Sequence, residues 1–94
     1  MGIVGDLTDA AIRKAKPRDK AYRLADGGGL ALFVAPGGGK LWRIRYRWQG
    51  REQTISLGAW PHVGLTEARA QLAGVKADLQ AGRDPAAMRR LTAA

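Results

Sequence analysis

The spacing of apolar residues changes character twice along this chain, and the changes divide it into three segments. Over residues 7–16 the spacing is helical. Thr8 has the side chain of an N-cap, Asp9 suits the positive end of a short helix, and Leu7 with Ile12 has the spacing of a hydrophobic staple. Pro17 ends that helix. From Ala21 to Leu57 the period becomes two, punctuated by glycines at 27–29 and 37–39 and by Gln49-Gly50. The strands this predicts are Tyr22 to Ala25, Leu30 to Ala35, Leu41 to Trp48 and Arg51 to Leu57. Beyond Pro61 the period is helical again. Ala68, Leu72, Val75 and Leu79 form a narrow apolar stripe, with Thr66 as the expected cap and Gly82 where a left-handed residue would close the helix. Asp84-Pro85 stops it, and Ala86 to Leu91 reads as the start of another helix, so the chain resembles the front end of something longer.

The two hairpins can be registered from their turns. A two-residue turn at Gln49-Gly50 sets Trp48 against Arg51, Tyr46 against Gln53, Ile44 against Ile55 and Trp42 against Leu57. A three-glycine loop at 37–39 sets Val34 against Trp42, Leu32 against Ile44 and Leu30 against Tyr46. Both turns put the same residues on the apolar face. The expected fold is α+β: a three- to four-stranded antiparallel sheet, a C-terminal helix packed on one face, and a short N-terminal helix.

Composition adds size and charge to this picture. Ninety-four residues are one small module, and 46% apolar with 26% charged residues is the balance of a folded domain, not of a disordered basic tail. Sixteen Lys and Arg against eight Asp and Glu leave a net charge of +8, which points to a polyanionic partner. The absence of cysteine excludes disulfides and thiolate metal sites and fits a reducing compartment. No apolar run approaches the roughly 20 residues that span a bilayer, so the expectation is a cytoplasmic protein without a membrane partner.

Catalytic chemistry finds little to use. His62 is the one histidine and sits in a turn with no base or second ligand near it in sequence, and the carboxylates are scattered singly. Gly37-Gly38-Gly39-Lys40 resembles the end of a phosphate-binding loop, but Leu41 and a strand follow where Ser or Thr and a helix are needed. A hairpin loop is the simpler reading. No catalytic residue, metal site or cofactor is expected.

The informative segment is Leu41 to Trp48. Trp42, Ile44, Tyr46 and Trp48 take one face, and Arg43, Arg45 and Arg47 the other, with successive arginines about 7 Å apart. Such a row can follow a phosphate backbone or enter a major groove, where Arg takes guanine O6 and N7 together. Thr54 beside Arg45 and Ser56 beside Arg43 would supply hydroxyls, Phe33 beside Arg43 an exposed ring, and Arg23 and Lys40 would extend the patch. The competing view is an ordinary solvated sheet face, with Arg47 paired to Glu52 across the hairpin. Charge distribution leans toward an interface: residues 21–62 carry six cations against two carboxylates, a net +4 and half the excess. Arg69, Lys76, Gln80 and Arg83 give the long helix a basic side that reads as solvated. Trp42 and Trp48 fall on the core parity, and Trp60 is expected to close one end of the sheet–helix interface.

The order Leu7-Thr8-Asp9, Lys16-Pro17, Leu24-Ala25-Asp26, Gly29-Leu30-x-Leu32-x-Val34, Gly39-Lys40-x-Trp42-x-x-x-Tyr46, Leu57-Gly58, Leu65-x-x-Ala68-Arg69 and Gly82-x-Asp84-Pro85 resembles the N-terminal arm-type DNA-binding domain of phage and genomic-island integrases. Val63-Gly64, where that family more often has serine before the leucine, is a minor departure. The resemblance covers nearly the whole chain. It implies a tyrosine recombinase in which this domain holds accessory arm sites during integration and excision, with other domains binding and cutting the core sites. It further implies that the exposed sheet face, here Arg43, Arg45 and Arg47, enters the major groove of duplex DNA. Residues 1–6 would be a flexible N-terminus, 7–85 the arm-type domain, and 86–94 the start of a linker to a core-binding domain outside this sequence. Other integrase protomers and accessory DNA-bending proteins are the further partners implied. Neither Tyr22 nor Tyr46 has the arginines and histidines of a recombinase nucleophile around it, so this segment alone is expected to be inactive. Two rival readings are a module that contacts integrase protomers or a directionality factor, and a binder of double-stranded RNA.

Overall fold

A computed structural model describes residues 7–93, with side chains through Arg89; the flexible terminus expected over 1–6 lies outside the described residues. The elements are α1 (Asp9–Lys14), β1 (Tyr22–Gly27), β2 (Leu30–Val34), β3 (Lys40–Trp48), β4 (Arg51–Ala59), α2 (Leu65–Gln80) and α3 (Pro85–Ala93). The strands form one antiparallel sheet in the order β1-β2-β3-β4. This is the α+β arrangement that the periodicity predicts, with all four strands present.

Helix α1 is one turn and a half, too short to persist without help. The Thr8 hydroxyl accepts from the Ala11 amide at 3.1 Å, and the staple residues Leu7 and Ile12 are both buried in the common core. The β3–β4 turn has positive φ at both Gln49 and Gly50, the conformation that suits the twist of a two-residue hairpin. Register from Trp48↔Arg51 to Arg43↔Ser56 therefore follows the turn as expected. A bulge then intervenes, and Trp42 faces Gly58 instead of Leu57. Leu57, the extra residue, is still buried beside Ile55; beyond it the alternation switches, with Gly58 taking the inward place opposite Trp42 and Ala59 the outward place opposite Leu41.

The β2–β3 register also departs from expectation, by two residues: Val34 faces Lys40, Leu32 faces Trp42 and Leu30 faces Ile44. A three-glycine loop would have placed Pro36 in the ladder, where it has no amide to donate. The chain leaves the strand at Val34 and closes a five-residue loop, with Gly38 N–H on the Ala35 carbonyl at 2.9 Å and Ala35 N–H on the Gly39 carbonyl at 2.8 Å. A slip of two preserves parity, so the apolar face is unchanged.

On that face lie Leu30, Leu32, Trp42, Ile44, Tyr46, Ile55 and Leu57, covered by Leu7 and Ile12 from the N-terminal segment and by Leu65, Ala68, Leu72 and Val75 from α2. Trp42 is fully buried, and its indole N–H donates to the Val63 carbonyl at 2.7 Å, so its one polar atom is satisfied. Trp60 packs at the margin of this core, half-buried. Helix α2 begins at Leu65, not behind a Thr66 cap: Gly64 is the N-cap and gives no side-chain bond. Leu65 belongs to the core, and its burial, together with the Val63 N–H on the Ala59 carbonyl at 2.7 Å, fixes the helix start one residue ahead of the hydroxyl. The other end is a Schellman turn, with Arg83 N–H on the Asp78 carbonyl, Gly82 N–H on that of Leu79, and Gly82 at φ 75°. Asp84 then caps α3 through its carboxylate on the Ala86 amide at 3.1 Å, with Pro85 buried at the first helical position.

Candidate nucleic-acid interface

All three helices contribute to the face that carries Trp42, which leaves the opposite face of the sheet uncovered. Arg43, Arg45 and Arg47 project from β3 on that open face: Arg43 half-buried, Arg45 and Arg47 exposed. Across β4, Thr54 faces Arg45 and Ser56 faces Arg43, as the hairpin register predicts, and both are exposed. Arg23 stands on the same face from β1, opposite Phe33 of β2. Arg23, Ala31, Phe33, Arg43, Arg45 and Thr54 surround a shallow hollow of about 220 Å³.

Each arginine of the row has a different local environment. The Arg43 guanidinium lies 4.7 Å from the centre of the Phe33 ring, although the direct partners are Phe33 with Leu41 and Ala31 with Arg43. Diagonal neighbours in a sheet are within reach of long side chains, so the contact survives the two-residue change of register. Arg45 gives its Nε to Glu52 at 3.1 Å. The pairing with Glu52 expected for Arg47 falls instead to its diagonal neighbour, although Arg47 and Glu52 are the direct register partners.

Lys40 does not join the row. It shares the parity of Trp42, and its ammonium crosses to the helical side, donating to the Ile12 carbonyl at 2.7 Å and lying 4.8 Å from the Trp60 ring centre. There it satisfies a carbonyl in the last turn of α1, the end that favours a cation. Nor is Arg69 a member of a solvated basic side. It reaches from α2 to Asp26, with Nε on Oδ2 and one terminal nitrogen on Oδ1, both at 2.9 Å, and that nitrogen also donates to the Leu7 carbonyl at 2.9 Å. Asp26, only 3% exposed, additionally accepts the Leu7 amide at 2.9 Å. The Arg69 hydrogen bonds hold the Asp26 carboxyl below its ordinary pKa against the opposing effect of burial, with the Leu7 amide assisting. This cluster ties the N-terminal segment, β1 and α2 together behind the open sheet face. Its sequence signal is Asp26 on the inward parity of β1.

The position of the turn between β1 and β2 depends on a glycine. Gly29 has φ 95°, and its carbonyl accepts the Arg45 amide at 2.8 Å. A Cβ there would strike the Arg45 carbonyl oxygen. The absence of a side chain lets the turn close over β3 beside the arginine row.

Other chemistry is sparse. Among the described residues no three His, Asp or Glu side chains come together as a metal-binding set, and no helix is long and apolar enough to cross a membrane. His62 is exposed in the turn before α2. The Tyr22 hydroxyl donates to the Lys16 carbonyl at 2.6 Å and that of Tyr46 to Asp84 at 3.2 Å.

An antiparallel sheet backed by helices, with a cationic row on its bare side, defines a small basic α+β domain. Comparison with known proteins makes the class specific. Residues 7–92 match the family model of the arm DNA-binding domain. The chain is 42% identical over 79 residues to the integrase of Shigella phage Sf6 and, to the same extent, to prophage integrase IntS of Escherichia coli K12. It is 43% identical over 81 residues to the integrase of Enterobacteria phage P4. Each match takes in 84% of this chain and 18–20% of the relative, so the chain spans about a fifth of the length of these integrases. The chain belongs to the arm DNA-binding domain family of phage integrases.

Proposed function

We propose that this domain docks its open sheet face in the major groove of arm-type duplex DNA, as the accessory-site anchor of a site-specific tyrosine recombinase acting in integration and excision. The observation that carries the reading is the row of Arg43, Arg45 and Arg47 on the one sheet face that no helix covers. A two-stranded ribbon of β3 and β4 has the width to enter that groove. Thr54 and Ser56 supply hydroxyls for phosphates beside the arginines, and Arg23 widens the cationic surface. Strand cleavage belongs, on this reading, to a catalytic domain other than the residues of this chain. Other recombinase protomers and DNA-bending proteins are the partners expected to share the assembly.

Titration of a fluorescent DNA duplex of mixed sequence across a salt series tests this reading, with an RNA duplex of the same sequence as competitor. Affinity should fall with a log–log slope of about −0.9 per phosphate neutralised, and DNA should outcompete RNA. Unaltered binding by the Arg45→Ala, Arg47→Ala double variant at every salt concentration would overturn the docking model. Salt-insensitive self-association without duplex binding would favour a protein-interaction role instead.

A further inference from the structure

The three arginines of the row are differently prepared for contact. Arg47 is exposed and its register partner Glu52 is committed elsewhere. Arg45 has its Nε engaged by Glu52, with a side chain 51% exposed. Arg43 is half-buried, lies against the Phe33 ring, and has no carboxylate partner among the described residues. An aromatic face restrains a guanidinium by stacking while leaving its N–H donors unspent. A carboxylate does the reverse, consuming donors that must be recovered before DNA can use them.

Ala31 directly opposes Arg43, and its small side chain keeps the hollow beside Phe33 open. Two-point recognition of a guanine edge requires a planar fork held in one orientation, whereas a phosphate accepts either a fork or a point charge and from several directions. We propose that Arg43 is the residue that reads a guanine edge, and that Phe33 is its positioning residue. Arg45 and Arg47 serve the backbone. This inference rests on the docking proposed above, because it assigns separate tasks within the same face.

Selection from a duplex pool with a randomised central segment reads the two tasks apart, using the whole chain and its Phe33→Leu, Phe33→Tyr, Arg43→Lys and Arg47→Ala variants. The wild type should enrich guanine at one position at least. Phe33→Leu should reduce that enrichment about tenfold at that position alone while leaving affinity for the unselected pool within about twofold. Phe33→Tyr, which keeps the ring, should restore it. Arg43→Lys, which keeps the charge and loses the fork, should behave as Phe33→Leu and decides the matter should that variant fail to fold. Arg47→Ala should lower affinity evenly over all sequences. Retention of the guanine preference in Arg43→Lys, or wild-type binding with no base preference, overturns the assignment and leaves sheet-face docking standing. Failure of the wild type to bind the pool at all would remove both.

Discussion

Asp26 and Arg69, 43 positions apart, meet through two parallel hydrogen bonds of 2.9 Å, Nε to Oδ2 and a terminal nitrogen to Oδ1. The carboxylate is almost wholly enclosed, while the guanidinium side chain remains 32% exposed. Removing one partner strands the other. Asp26→Ala should therefore cost about 3 kcal/mol, the lower end of the range for a broken buried pair because water still reaches Arg69. Thermal unfolding should shift down by roughly 10 to 20 °C, read by circular dichroism. A shift below about 3 °C would mean that the pair contributes little.

The same pair makes stability pH-dependent in a defined direction. Its contribution is present in full above the ordinary Asp value of 3.8, because the native carboxyl is held lower than that. As pH falls through 3.8 the unfolded chain binds the proton first, and the contribution is gone once pH passes below the native value. Urea midpoints measured from pH 5 downward should decline, and Asp26→Asn should decline less steeply over that window. Parallel curves would remove the assignment of this acid limb to Asp26.

Glu52 places a negative charge within the cationic row and engages Arg45 at 3.1 Å. Both side chains are more than half exposed, so the fold should lose less than about 1 kcal/mol in Glu52→Gln. Duplex affinity at low salt should rise several-fold, because Arg45 no longer has to exchange a carboxylate for a phosphate and one repulsive charge is gone. Weaker binding in that variant would show that Glu52 instead orients Arg45 for contact.

Gly29→Ala should destabilise by more than about 1 kcal/mol, since φ 95° disfavours a side chain and the new methyl would press on the Arg45 carbonyl. The strain falls on the strand that carries the row, so duplex binding should weaken along with stability. Gly37→Ala, where the space around the Cβ position is open, should do neither.

Much of this structure is legible in the alternation of residues 41–57. Two turns with one parity identify the buried face, and parity resists error: the β2–β3 register differs from expectation by two residues, yet every side chain keeps its side. What alternation does not encode is the extra residue. The bulge that moves Trp42 from Leu57 to Gly58 depends on local backbone geometry, not on polarity. Long side chains are the other source of difference. Lys40 reads as part of a cationic patch by charge and as a core-side residue by parity, and parity decides, because Ile12 offers a carbonyl there. Arg69 looks like surface charge until Asp26 is seen to face inward from a distant strand. A contact between elements so far apart in sequence leaves no periodic trace. Phe33 and Arg43, by contrast, meet although their predicted direct pairing was displaced, since the ring and the guanidinium both reach diagonally.

Strand β3 faces two ways along its whole length. Outward it bears the arginines; inward Tyr46, set between Arg45 and Arg47 in sequence, gives its hydroxyl to Asp84, the residue that caps α3. The heading of α3 is thus keyed to the same strand as the cationic row, by way of one phenol and one carboxylate. The 3.2 Å hydrogen bond sets the start of α3 against the strand that carries the arginines, so helix and row share one frame. In that sense the strand works as a rudder post, joining the open cationic face to the helix on the far side of the core.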